Sequence, residues 1–392
     1  MKILVLSYYY TPDIGPGALR AESIVKALNE KDINNTIHVI TSKVNRYNTF
    51  SDSQTYKSNE NKNPFIKRIY IPKHKNGMLK QAYGYFFFAW KAISISRKQK
   101  YDIVVSTSSR LMTAFLGALI AKRVGAKLYL DIRDLFNDTI KEVLSKRFLF
   151  ILLPLLRIME RFTFVSATKI NVVSGGFVEY IKSINPNIEP SLYTNGIDEE
   201  FINKKFFTSR KDRLSKILYA GNIGEGQGLS KIIPKFAKAM SDSVHFTILG
   251  AGSERADLEV KIKNDRLANV KLESPVERTK LLKIYMDADI LFLHLNDYKA
   301  FQKVLPSKIF EYAATGKPIL AGVDGYAAQF LRDNVPGVVI FHPQNLEQMI
   351  SAFKEISNMP EMFDRKDFCE NFLRKNIMKK MAEDIYSLEI KT

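Results

Sequence analysis

The residues best placed to do chemistry lie between Lys303 and Pro318, in the run KVLPSKIFEYAATGKP. Pro306 suits the first turn of a helix, Ser307 suits a cap, and Gly316-Lys317-Pro318 ends the helix sharply. Free backbone amides and Lys308 then meet at a helix N-terminus, which attracts anions. Glu311 follows Lys308 by three positions, so the two share a helix face. A carboxylate there can accept hydrogen bonds from two ribose hydroxyls while amides and lysines hold a diphosphate. The spacing alone fits a solvated Lys–Glu pair on an ordinary helix equally well.

Other segments offer weaker signals. Gly221–Gly228 (GNIGEGQG) and the run TPDIGPGALRAES, with Gly15 and Gly17, are glycine-rich turns between a strand and a helix. Such turns let a backbone approach a ligand, and any tight connection needs them too. The second run is not a dinucleotide fingerprint, because Arg20 stands where the third glycine would be. Asp131-Ile132-Arg133-Asp134 follows a buried strand, where charged groups either face a ligand or pair with one another. Asp287-Ala288-Asp289 has the form of a metal-binding DxD, but its place at a helix-to-strand junction accounts for its polarity. None of the five histidines is paired at metal spacing, and no Ser–His–Asp set is recognisable.

These segments need elements to hold them. Strand-like runs are Ile3–Ser7, Ile37–Thr41, Ile69–Ile71, Ile103–Ser106, Leu128–Leu130 and Ile170–Val173, with helical patterns at Ala21–Asn29, Leu79–Arg97, Leu111–Arg123 and Gly176–Ser183 between them. After Asn195-Gly196 the alternation restarts with strands at Lys216–Ala220, Val244–Leu249, Val270–Leu272, Ile290–Leu295, Pro318–Ala321 and Val338–Phe341. Helices there are expected at Leu229–Met240, Glu254–Asp265, Glu277–Asp287, Lys308–Thr315 and Leu346–Ile356, and a last amphipathic one at Asp367–Leu388. Short apolar strands separated by helices predict parallel sheets covered on both faces. The expectation is an α/β chain of two doubly wound, Rossmann-like domains facing across a cleft, residues 1–196 and 197–366, with 367–392 packing back towards the first. Residues 197–215 form the expected linker, and 45–64 an exposed loop.

At 392 residues the chain is long enough for two cores. Its single cysteine, Cys369, excludes an internal disulfide and any cysteine-rich metal site, and fits a reducing compartment. MKILVLSYYYTP is expected to be a buried first strand, because its apolar run is too short for a leader. The net charge of +18 is lopsided. Residues 1–196 hold 29 Lys and Arg against 14 Asp and Glu, whereas 197–392 hold 30 against 27. A basic first half favours an anionic partner there, nucleic acid or a phospholipid surface or lipid diphosphate. The apolar stretches Tyr83–Ile95 and Phe148–Phe164 lie in that half. Both are too short and interrupted to span a membrane, and suit either buried helices or helices dipping one face into its surface.

The run Lys303–Pro318 resembles the signature of glycosyltransferase family 4, the retaining GT-B enzymes, which place two glutamates eight positions apart before an Ala-x-Gly-x-Pro turn. Glu311 stands for the second glutamate and Lys303 replaces the first. The variant is similar to that of O-antigen and capsule transferases of the L-N-acetylfucosamine type, with Pro-Ser-Lys before the second glutamate. The resemblance covers nearly the whole chain, and implies Glu311 on the donor ribose and a diphosphate held near Lys303, Ser307, Lys308, Gly221 and Gly17. Asn222 and Gln227 occupy places where the family usually presents an arginine and a lysine, so Lys303 and Lys308 are expected to supply the missing charge. It also implies that Arg133 binds an acceptor diphosphate and that Asp131 or Asp134 orients the acceptor hydroxyl.

The implied activity is metal-independent, retaining transfer of a UDP-linked sugar, an N-acetylhexosamine or deoxy derivative, to a polyprenyl-diphosphate saccharide. No cofactor and no nucleic-acid partner are expected, and the place is the cytoplasmic face of an anionic membrane. Two rivals remain: a GT-B sugar-nucleotide epimerase, and a non-enzymatic basic binder of membrane or nucleic acid. Against the latter, the basic residues are scattered, without one stripe of interleaved aromatics.

Overall fold

The computed structural model describes residues 1–392 apart from 14, 44–62, 72–77, 109–110, 136–145, 203, 205, 207–213 and 391–392. Most of the expected 45–64 loop and part of the 197–215 linker lie outside the described residues. The chain divides into two units, one of Met1–Asn195 with Arg374–Thr392 and one of Gly196–Leu373.

The first unit runs β1 (Lys2–Leu6), α1 (Pro16–Lys31), β2 (Thr36–Ser42), β3 (Phe65–Ile69), α2 (Met78–Ser96), β4 (Ile103–Ser108), α3 (Leu111–Val124), β5 (Lys127–Ile132), α4 (Lys146–Val165), β6 (Lys169–Val172), α5 (Val178–Ile184) and β7 (Ser191–Leu192). Its strands are parallel in the order β3-β2-β1-β4-β5-β6-β7. Ile3 of β1 lies level with Ile37 on one side and Ile103 on the other, all three buried. Both faces of such a sheet are covered, which is why its strands are continuously apolar rather than alternating.

Right-handed crossovers sort the helices by direction of travel along the sheet. The β1-to-β2 connection moves one way and places α1 on one face. The β3-to-β4, β4-to-β5 and β5-to-β6 connections move the other way and place α2, α3 and α4 on the opposite face, where α3 packs against both neighbours.

The second unit runs α6 (Glu199–Ile202), β8 (Ser215–Asn222), α7 (Leu229–Ala239), β9 (Val244–Ala251), α8 (Arg255–Asn264), β10 (Val270–Glu273), α9 (Arg278–Asp287), β11 (Ile290–His294), α10 (Lys308–Ala314), β12 (Ile319–Gly322), α11 (Gly325–Asn334), β13 (Val338–Phe341), α12 (Leu346–Ser357) and α13 (Lys366–Asn371). The parallel order β10-β9-β8-β11-β12-β13 reverses direction between β8 and β11, the place where doubly wound sheets bind ligands.

The strand expected at Ile69–Ile71 lies earlier, at Phe65–Ile69, the expected linker carries α6, and two further expectations about elements need correction. The single helix Asp367–Leu388 is two helices broken at Phe372-Leu373, α13 and then α14 (Arg374–Ile390). Phe368 and Phe372 stack among Phe310 and Phe330, and Ile197 bridges Leu373, so α13 stays with the second unit. The division therefore falls at 373–374 rather than 366–367. Only α14 rejoins the first unit, lying along α1 with Asp384 taking bonds from Ser191, Tyr129 and Lys169. The other miss is α11, whose start at Gly325 (φ +59) resembles a turn in sequence.

Candidate functional site

In the second unit, β8 ends in the glycine turn and α10 stands close over its start. A Cβ on Gly221 would lie 2.1 Å from Cε of Lys308, so only glycine lets that lysine cross the strand end. Lys308 is half-buried, and burial pulls its ammonium below its ordinary pKa; Glu311 opposes that shift and Arg278 adds to it. Its Nζ also lies 5.9 Å from the ring centre of Tyr312. The structure thus brings Gly221, Lys308 and Glu311 together from separate parts of the sequence.

Glu311 is anchored without being sealed, its side chain 19% exposed. Nη1 of Arg278 donates to Oε1 at 2.9 Å and the Tyr285 hydroxyl donates to Oε2 at 3.3 Å. A carboxylate offers about four lone-pair sites, so acceptor capacity remains for a ligand. Arg278 and Tyr285 escaped the sequence reading. A signal was present: Arg278 opens α9, where a cation opposes the helix dipole and so needs carboxylates nearby.

Asn222 and Gln227 do something other than stand in for phosphate-binding cations. Asn222 Nδ2 donates to Gln227 Oε1 at 2.7 Å, and the Gly224 amide donates to the same oxygen at 3.2 Å. They staple the turn shut. Its far side is fastened by Asn296, which donates to the Glu225 carbonyl, and by Tyr298 and Lys231 on the Glu225 carboxylate, which hold that carboxyl below its ordinary pKa. His294 completes the frame. It is buried, its Nδ1–H donates to the Gln227 carbonyl at 2.6 Å, and its Nε2 accepts from the Gln344 amide. Burial pushes its pKa down to about 4, so it is a neutral strut.

Ser307 is not the expected cap: its backbone is already helical (φ −60, ψ −24) and its side chain makes no capping bond. The α10 helix is only seven residues long. Lys303 closes a 3-10 turn, Lys299–Lys303, and is half-buried. The Asp287-Ala288-Asp289 pattern is a strand junction: Asp289 is buried and accepts from the Lys216 amide at 2.9 Å, and Asp287 pairs with Lys216 Nζ at 2.5 Å.

The first unit holds its own candidates. A Cβ on Gly17 would lie 2.5 Å from Nη1 of Arg133, so the glycine turn and that guanidinium are in close approach. Asp134 is exposed beside it. The expectation for Asp131 is corrected. Its carboxylate is wholly buried, with a bidentate pair from Arg20 at 2.8 Å twice, Thr107 at 2.6 Å and Asn171 at 2.7 Å. Burial would raise its pKa, but the Arg20 charge and these bonds outweigh it and leave it below the ordinary value. Arg20, also fully buried, donates onward to the carbonyls of Tyr193 and Thr194. Asp131 is therefore a structural knot. Arg20 could have revealed this, because it sits on the apolar face of α1 with Gly17, Ala21, Ile24 and Leu28.

The α2–α3–α4 layer is unusual in what its outer side shows. Tyr83, Phe86 and Trp90 on α2, Leu119 on α3, and Leu152, Leu155, Ile158 and Val165 on α4 are all exposed. Lys91, Lys122, Arg123, Arg157 and Arg161 lie on the same helices, whose only acidic residue, Glu160, is buried. Lys91 stands 5.0 Å over the Trp90 ring. Among the described residues no helix is long and apolar enough to cross a membrane.

Comparison with known proteins agrees with this layout. Residues 200–371 match the family model described as glycosyl transferases group 1. WcaI of Escherichia coli K12, named for colanic acid biosynthesis glycosyl transfer, is 26% identical over 178 residues; the match spans 44% of this chain and 44% of that protein. Among solved structures, WaaG, a glycosyltransferase involved in lipopolysaccharide biosynthesis, aligns with a TM-score of 0.65 at 14% identity, covering 99% of this chain and 98% of that one. A UDP-GlcNAc 2-epimerase from Neisseria meningitidis bound to UDP-GlcNAc aligns at 0.53 and 16% identity over the whole of both chains. The fold is thus that of GT-B proteins, two Rossmann-like α/β domains with parallel sheets.

Proposed function

We propose that this chain is a retaining glycosyltransferase that moves a sugar from a nucleoside diphosphate, with UDP the first candidate, to a saccharide on polyprenyl diphosphate, at the cytoplasmic face of an anionic membrane. The observation that carries the reading is the anchored, part-exposed carboxylate of Glu311 beside Lys308 over Gly221, inside the region that matches the glycosyl transferase family. Glu311 receives the donor's ribose hydroxyls. Lys308 and Lys303 face the diphosphate, where negative charge grows as the glycosidic bond breaks, and lysines placed there favour that state over the ground state. No metal is needed for this. The acceptor hydroxyl approaches on the face the phosphate leaves, and the departing phosphate takes its proton. Arg133, close against Gly17, binds the acceptor diphosphate, with Asp134 next to it. The sugar is an N-acetylhexosamine or a deoxy derivative, and the setting is surface polysaccharide synthesis, O-antigen or capsule.

The outer side of the α2–α3–α4 layer supports the membrane location, since exposed apolar groups flanked by lysines and arginines suit an anionic lipid surface. A sugar-nucleotide epimerase is the second reading, favoured by the fold shared with the UDP-GlcNAc 2-epimerase. One experiment separates them: a panel of nucleotide sugars with and without a polyprenyl-diphosphate saccharide in detergent. Release of UDP with a heavier lipid product only when the acceptor is present supports transfer; epimerised UDP-GlcNAc without acceptor overturns it.

A further inference from the structure

We propose that Arg278 is a positioning residue that holds Glu311 in the orientation in which it receives the ribose hydroxyls of the donor. The inference rests on the donor reading given above and adds a residue to it. Arg278 fixes one oxygen of the Glu311 carboxylate and Tyr285 the other, so the plane of the group is set and each oxygen keeps a lone pair for a ligand. The arginine is itself rigid: Nη2 donates to Asp198, Nε reaches Glu200 at 3.4 Å, and the guanidinium lies 4.9 Å over the Phe201 ring. A planar fork satisfying three carboxylates is work for arginine, which lysine's point charge does not reproduce. At the first position of α9 the cation opposes the helix dipole, so α9 itself gains nothing from it. Were its role only to pin α6 to the second unit, Glu311 would not need to be among its partners.

The test compares UDP with 2′,3′-dideoxy-UDP by calorimetry on the full chain, in the wild type, Arg278→Met, Arg278→Lys, Glu311→Ala and the Arg278→Met/Glu311→Ala double variant. The wild type is expected to prefer UDP by about tenfold, one or two hydrogen bonds to a charged acceptor. Arg278→Met loses most of that preference while its dideoxy-UDP affinity stays unchanged, Arg278→Lys recovers part of it, and the double variant is no weaker than Glu311→Ala. An Arg278→Met variant that weakens both ligands equally, or neither, overturns the proposal while leaving Glu311 as the ribose carboxylate. A wild type that binds both ligands alike removes Glu311 from the ribose, and the donor reading falls with it. If Arg278→Met does not fold, Arg278→Lys reads the same difference.

Discussion

Each unit has an arginine–carboxylate pair, and the two pairs differ in what they leave over. In the first unit Arg20 and Asp131 are fully buried, and four donors fill the two carboxylate oxygens. In the second, Arg278 and Glu311 are 28% and 19% exposed, and one donor sits on each oxygen. The first arrangement stabilises a fold; the second presents an acceptor. A charged residue near a strand's carboxyl end is therefore not a site until its remaining hydrogen-bonding capacity and its access to solvent are known.

The largest effect that would break this contrast lies in the first pair. Arg20→Met leaves a buried carboxylate without its cation, and a loss of about 3–5 kcal/mol in unfolding free energy is expected from urea titration. Arg278→Met, whose carboxylate partners keep access to solvent, should cost far less stability. The pH dependence follows the same logic. Because the folded Asp131 value lies below its ordinary one, its contribution is fully present above the unfolded value and is lost as pH falls through the folded value. Urea midpoints measured from neutral to strongly acidic pH should show that loss, and Asp131→Asn should flatten it.

A smaller effect contrasts the units by surface. Helix α8 of the second unit mixes acids and bases in RADLEVKIKN, whereas the exposed residues described on α2, α3 and α4 are apolar or basic. Replacing Phe86 and Ile158 together by glutamate should reduce sedimentation with phosphatidylglycerol vesicles by about tenfold or more, since each side chain contributes about 1.5–3 kcal/mol when fully buried. Equivalent glutamates on α8 should change nothing. Unaltered vesicle binding by the double variant would remove this face from the account.

The smallest effect concerns Lys308. Burial lowers its pKa, so its charge, and with it UDP affinity, should decline as pH rises through that lowered value. In titrations from pH 7 upward, Lys308→Arg, which stays charged, should abolish the decline, a change of about tenfold at the alkaline end. A decline that persists in Lys308→Arg belongs to another group.

Most of the fold was legible because buried parallel strands are short apolar runs, and Ile103, Val244 or Val338 announce them directly. The break at Phe372 was not, since Phe368 and Phe372 fit an amphipathic helix equally well and only the aromatic stack around Phe310 and Phe330 decides their side. In the candidate site, the three-residue spacing of Lys308 and Glu311 made only their shared helix face readable. Arg278, Tyr285 and His294 were not readable, because their partners are 33, 26 and 67 residues away and become neighbours only when the sheet closes. Asp131 misled because a sequence shows that a strand ends in a carboxylate, not that Arg20, 111 residues earlier, has already taken it.

The contrast and the donor site meet in one measurement, calorimetric titration of UDP into the wild type, Glu311→Ala and Asp131→Asn, each checked for folding by circular dichroism. Glu311→Ala is expected to weaken UDP by about 10-fold or more, as loss of hydrogen bonds to a charged acceptor implies, while folded Asp131→Asn binds UDP as the wild type does. Wild-type affinity in Glu311→Ala, or a specific loss in folded Asp131→Asn, would contradict that expectation.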